Sequence, residues 1–301
     1  MYYPEGILSS MVTCFDEKGN VNLERLGETI EFQKKAGVKS LCVLGGTGEA
    51  ASMTPEERHA VMEETMKHSN GLHIVFGALA GKVSDVKADI EKAKELGADA
   101  AMVMAMPFVY DVEVLVKEYA SIGLPIVVFN TPSRSAFSMS ASLVKRLSEI
   151  PGVVGIKESS GNMTFAQDIR VACPHPFSLL TGGDDLYFET RIIGGDGGIL
   201  AAAAVIPEVC MALDTAIKRN DIETARKCHY AVKIINDVLY TASHPVPLKL
   251  AMEARGLKVG KCRPPFSIIS KEHEEQVYAA LKEIRETMNG IVTFVEEYPM
   301  P

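Results

Sequence analysis

Three short stretches carry residue types that could do chemistry together. The first is Val153-Val154-Gly155-Ile156 followed by Lys157. A lysine that closes an apolar strand is partly desolvated, which disfavours the ammonium form and yields the neutral amine that attacks a ketone. The plainer reading is a lysine that reaches solvent or pairs with Glu158. Lys82, in a loop after the third apolar run, is a second amine, held less rigidly. The second stretch, Leu44-Gly45-Gly46-Thr47-Gly48-Glu49, lacks the spacing of a nucleotide loop. As a glycine-rich strand end it can offer backbone N–H groups as a nest for a carboxylate, with the Thr47 hydroxyl as a further donor, or it is a plain turn. The third, Asn130-Thr131-Pro132-Ser133-Arg134, ends in a guanidinium suited to a carboxylate or a polyhydroxylated tail.

These groups need a scaffold that brings strand ends together. Short apolar runs alternate with longer amphipathic stretches, the pattern of parallel strands joined by helices. Eight strands are predicted: Gly6–Val12, Ser40–Leu44, His73–Gly77, Ala100–Met104, Pro125–Asn130, Val153–Lys157, Phe177–Thr181 and Gly198–Ala201. Asn22–Ala36, Pro55–His68 and Ser84–Leu96 carry helix start and stop signals, the clearest being Thr54-Pro55-Glu56-Glu57. Eight strand–helix units predict a TIM (β/α)₈ barrel, with reactive groups at the C-terminal strand ends. An open doubly wound sheet is the alternative. Beyond Ile206 the strands cease, and Glu208–Arg219, Ile222–Tyr240, Pro247–Arg255 and Lys271–Met288 read as helices. The expected division is residues 1–219 as the barrel and 220–301 as a C-terminal helical extension packed on it.

Composition narrows the function. The 301 residues are 47% hydrophobic and 23% charged, enough for a large core, and the formal charge of −8 disfavours nucleic acid. The longest apolar run, Gly197 to Ile206, is far short of the roughly 18 residues of a membrane span. No secretory signal is visible, so a cytoplasmic protein is expected. The six cysteines and seven histidines form no redox or metal motif. A small-molecule substrate, with no cofactor and no metal, is the expectation.

Read in order, further stretches join these three. They are Gly6-Ile7 with Val12-Thr13-Cys14-Phe15, Thr54-Pro55-Glu56-Glu57, Met106-Pro107-Phe108, Phe129 before Asn130, Gly155-Ile156-Lys157-Glu158-Ser159-Ser160-Gly161-Asn162, and His244-Pro245-Val246-Pro247-Leu248-Lys249. The series resembles the dihydrodipicolinate synthase and N-acetylneuraminate lyase family over most of the chain. The resemblance implies a homotetrameric barrel enzyme in which Lys157 forms an imine with pyruvate or another 2-oxo acid. It implies that Thr47 and neighbouring amides bind the substrate carboxylate, that Ile199 offers a backbone carbonyl near the reacting centre, and that Arg134 contacts substrate.

The departures bear on the reaction. Where the family usually has a proton-shuttling tyrosine this chain has Phe129, and the two relay hydroxyls of the synthase branch fall at Gly46 and Val109. Phenylalanine neither donates nor accepts a proton. Tyr110, Ser159 and Ser160 are the candidate substitutes. The expected activity is a lyase that performs aldol cleavage or condensation, or dehydration, on a 2-oxo acid. Dihydrodipicolinate synthesis proper, deamination of a cyclic imino acid, and a non-catalytic 2-oxo-acid-binding protein are the alternatives.

Overall fold

The structure, a computed structural model, describes residues 1–105, 111–266 and 269–301. Eight strands close into a parallel barrel: β1 Gly6–Ser10, β2 Ser40–Val43, β3 His73–Ala78, β4 Ala100–Met104, β5 Ile126–Asn130, β6 Val153–Glu158, β7 Ser178–Thr181 and β8 Gly197–Leu200. Closure is made by β1 against β8, where Leu8 pairs with Ile199. The strands are apolar on both faces because both are covered. Leu8, Cys42, Val75, Met102, Val127 and Leu180 fill the barrel, whereas Ile74, Phe76, Val103, Val128 and Ile156 face the surrounding helices.

The sequence signals at the helix ends act as their chemistry demands. Asn22 accepts the amide of Arg25 at the start of Leu23–Lys35. Thr54 and Glu57 form a reciprocal capping box at Pro55–Lys67, a device typically worth about 1 kcal/mol. After β8 come Pro207–Lys218, Ile222–Leu239, Val246–Ala254 and Lys271–Thr287. They share a second core with residues 200–206. A buried fork holds this region: Arg255 donates Nη2 to Glu208 Oε1 at 2.7 Å and Nη1 to Oε2 at 3.0 Å.

Two local departures from ideal strands decide what reaches the barrel mouth. β1 stops at Ser10 rather than running to Val12, so Ser10 becomes a strand-end residue. In β6 the register against β5 slips by one residue: Ile126 pairs with Val153, but Val127 pairs with Gly155. Val154 is the extra residue of a bulge and points into the barrel. Strict alternation from Val154 would turn Ile156 inward and Lys157 out. The bulge resets the alternation, so Ile156 packs outward and Lys157 lines up with inward-facing Phe129. Glycine is required at the step itself, because a Cβ on Gly155 would lie 2.6 Å from the Ser178 carbonyl oxygen.

Candidate active site

The C-terminal mouth holds a cavity of about 330 Å³. Its floor comes from strand ends: Ser10, Phe129, Lys157 and Ile199, with the turn Gly46-Thr47 after β2. Its wall comes from beyond the barrel, from Tyr240 at the end of Ile222–Leu239 and His244 in the following turn. The Lys157 Nζ stands 4.7 Å from the centre of the Phe129 ring. Burial pulls this lysine below its ordinary pKa and Arg134 pushes the same way, while Cys42 and Asp184 oppose. The result is an amine with more of the neutral form than a surface lysine has.

The glycine-rich turn is braced from several sides. Leu44 and Glu49 flank it in left-handed backbone conformations, at φ of 61° and 54°, and Thr13 donates to the Gly48 carbonyl at 2.7 Å. The amides of Gly48 and Glu49 are consumed within the turn. Those of Gly46 and Thr47 donate to no protein group among the described residues. Arg134, in the single helical turn Pro132–Ser135, lies against Gly46. A Cβ on Gly46 would fall 1.7 Å from the Arg134 Nη1, so the guanidinium occupies the space a side chain there would take. Two amides and a guanidinium with no protein partner among the described residues are an arrangement that can hold an anion.

The Thr47 hydroxyl is engaged elsewhere. It accepts from Ser10 Oγ at 2.9 Å and lies 3.1 Å from His244 Nε2. The His244 ring stacks on Tyr240, with centroids 4.9 Å apart and an interplanar angle of 13°. Its Nδ1 is buried, and the Leu239 backbone is the group that favours a proton on the ring. Burial, then Arg134 and Lys157, press the imidazole down to about 3, so it is neutral at physiological pH. Burial and Asp184 raise the Tyr240 phenol. The Glu49–Lys249 ion pair, at 2.7 Å with both side chains almost fully buried, ties the turn carrying Thr47 to the helix that follows His244. Deeper in, Asp184 accepts the Ala202 amide at 2.8 Å through Oδ1 and leaves Oδ2 unpartnered. Burial raises its carboxyl to about 6, with the Ala202 hydrogen bond and Lys157 acting against that rise.

Of the residues singled out from the sequence, Lys157, Gly46, Thr47, Phe129, Arg134, Ile199 and Ser159 line the one cavity. Ser160 does not: it lines a neighbouring surface groove, and its hydroxyl accepts from the Asn162 amide at 3.2 Å. The turn after β6 uses that hydroxyl for itself. Tyr110 and Val109 lie outside the described residues. Lys82 is exposed at the start of Val83–Glu95, away from the cavity. Sequence reasoning missed Ser10, Asp184, Tyr240 and His244. Ser10 was hidden in an apolar run, and the wall residues sit in a region whose return to the mouth only the topology reveals. The available signal was a histidine beside Pro245-Val246-Pro247, four residues after a tyrosine.

Among the described residues no group of three or more His, Cys, Asp or Glu side chains is arranged to hold a metal ion. None of the described helices is long and apolar enough to cross a membrane.

Comparison with known proteins agrees with this architecture. The model of the dihydrodipicolinate synthetase family matches residues 3–284. A 4-hydroxy-tetrahydrodipicolinate synthase of Archaeoglobus fulgidus is 32% identical over 286 residues, covering 93% of this chain and 98% of that protein. One from Acetivibrio thermocellus is 32% identical over 282 residues, covering 91% of this chain and 95% of that protein. The crystal structure of dihydrodipicolinate synthase from Aquifex aeolicus superposes with a TM-score of 0.87 at 28% identity, covering 97% of this chain and 100% of that one. With the closed barrel and the match over nearly its whole length, the chain belongs to the dihydrodipicolinate synthetase family of Schiff-base lyases.

Proposed function

We propose that the protein is a lyase in which Lys157 forms an imine with a small 2-oxo acid and drives aldol cleavage or condensation, or dehydration. The observation that carries the reading is the inward turn of Lys157 in the cavity that also holds Arg134 and two amides that donate to no protein group among the described residues. The substrate carboxylate sits on the Gly46 and Thr47 amides under Arg134, with the Thr47 side chain alongside, and its ketone meets Lys157. The protonated imine then acts as an electron sink for C3 proton loss or C3–C4 cleavage. Ile199 closes the floor opposite, and Ser159 borders the amine. Phe129 and Gly46 weigh against robust condensation of pyruvate with aspartate semialdehyde. Six free thiols among the described residues fit a reducing, cytoplasmic setting. The family resemblance supports a homotetramer, which small-angle scattering at micromolar concentration tests.

Borohydride trapping over a panel of 2-oxo acids, read by intact mass and peptide mapping, is the direct test. Pyruvate should add its reduced adduct at Lys157, and Lys82→Ala should leave labelling unchanged. Labelling that maps to another lysine overturns the assignment. A second reading, a binding protein without turnover, is favoured by the inert Phe129 ring over the amine; it predicts labelling with no cleavage of any 2-oxo acid tested.

A further inference from the structure

A Schiff-base lyase must move protons, and among the described residues the floor of this cavity supplies no phenol to do so. The side chains facing Lys157 on adjacent strands, Phe129 and Leu180, carry no exchangeable proton. The anion site accounts for Gly46, the two amides and Arg134, but not for the partners that the Thr47 hydroxyl has on its other side. That hydroxyl is already committed, receiving a proton from Ser10 and standing at hydrogen-bond distance from an imidazole. Because the Ser10 hydroxyl donates into Thr47, the Thr47 proton is free to point at His244 Nε2. With the His244 proton on Nδ1, the chain of donors runs Ser10, Thr47, His244 and ends on the Nε2 lone pair.

We propose that Ser10, Thr47 and His244 form the proton relay of this site, with the Thr47 hydroxyl meeting the reacting atoms and His244 acting through it as the terminal proton acceptor. The proposal rests on the imine reading of Lys157. In the cleavage direction the C4 hydroxyl of the bound imine gives its proton to Thr47 Oγ1, whose own proton passes to His244 Nε2. The O–H electron pair becomes the aldehyde C=O, the C3–C4 bond breaks, and its electrons form the C2=C3 bond as the iminium nitrogen becomes a neutral enamine. The imidazolium then returns its proton through Thr47 to C3, and water hydrolyses the iminium to free the 2-oxo acid and Lys157. No proton is gained or lost by the relay over the cycle. With pyruvate alone, the same route removes and restores a methyl proton.

Several features suit His244 to this task. Its ring is fixed by the Tyr240 stack, and the buried Glu49–Lys249 pair anchors the two segments whose approach makes the Thr47 contact. It is neutral at rest, hence an acceptor. Burial is the main cause of its depression; the carboxylate of an incoming substrate, beside Arg134, offsets the smaller share that this guanidinium adds.

The test separates imine formation from proton transfer. Borohydride labelling at saturating pyruvate reads the first, and exchange of pyruvate methyl protons in D₂O, followed by NMR, reads the second. His244→Gln should label at Lys157 as the unaltered protein does, which also shows that it is folded, while exchange falls by about 10² to 10⁴. Thr47→Val should lose exchange to a similar degree and Thr47→Ser should keep most of it. In His244→Ala, added imidazole should restore exchange in proportion to its concentration, an effect a merely structural role would not produce. Absence of any label on the unaltered protein overturns the imine reading and the relay with it. Normal labelling with exchange unchanged in His244→Gln overturns the relay alone.

Discussion

The floor and the wall of the cavity are built by different means. On the floor, Lys157 and Phe129 sit at register partners on adjacent strands, their direction set by the ladder and by the bulge at Val154. On the wall, Tyr240 and His244 belong to a turn between helices, held by one ring stack and by the ion pair between Glu49 and Lys249. The floor fixes where the Lys157 amine stands, and backbone hydrogen bonds hold that geometry. The wall, under the relay proposed above, sets which protons move, and it is held by side chains that can be exchanged singly. On the proposed reading, a barrel built this way can change its reaction without disturbing Lys157.

The contrast can be broken most completely at Lys157. Lys157→Ala should abolish borohydride labelling while the far-ultraviolet spectrum and melting temperature stay close to those of the parent, since the residue lies one short of the end of its strand and its side chain faces the cavity. A melting transition that collapses with the label would mean that floor and nucleophile are not separable. Next in size is the tie between the two regions. Lys249→Met strands the buried Glu49 carboxylate, and removing one partner of a buried pair typically costs about 3–5 kcal/mol, readable by denaturant titration. A loss within experimental error would show that the wall stands without its anchor.

The two regions should also respond to pH with opposite signs. Asp184, beside the floor, has its carboxyl raised from 3.8 to about 6, so the folded protein holds that proton longer than the unfolded chain. Its contribution is favourable below pH 4 and is lost as pH rises to 6, an effect of about 3 kcal/mol. Asp184→Asn should therefore be more stable than the parent at pH 8, with the advantage gone near pH 4. His244 is depressed from 6.5 to about 3, so stability falls as pH drops through that window, and His244→Gln should flatten the slope. Matching slopes in parent and variants would refute both assignments. The smallest effect is expected at Gly46. Gly46→Ala pushes the Arg134 tip aside and should raise KM for the 2-oxo acid by about tenfold, about 1.4 kcal/mol, with kcat little changed.

The floor was largely legible in the sequence because its signals are periodic. Each of the eight strands appears within a few residues of its expected bounds, and the helix caps at Asn22 and Thr54 stand where their side chains indicated. The inward turn of Lys157 was not legible. Val153-Val154-Gly155-Ile156 reads the same with or without a bulge, and only the slip against β5 decides which face the lysine takes. The end of β1 was obscured likewise, because Met11 and Val12 continue the apolar run after the ladder stops. The wall was the least legible. Ile222–Leu239 is plain as a helix, but nothing local to it says that Tyr240 and His244 come back over Thr47. That contact spans almost two hundred residues, and the packing of the C-terminal helices sets it. Ser160 illustrates the reverse, a polar residue near the nucleophile whose hydroxyl the backbone claims first.

The overlap between Arg134 and any side chain at position 46 has a consequence for how substitutions at the two positions combine. The two positions share one volume, and because the overlapping atoms are the far end of a flexible side chain, a substitution at position 46 acts through where the guanidinium goes. A side chain at Gly46 must displace the guanidinium tip, and moving the guanidinium away leaves the bare turn without its cation. The effects of changes at position 46 and at Arg134 should therefore be non-additive. Position 46 and the posture of Arg134 act as one unit rather than as two independent residues.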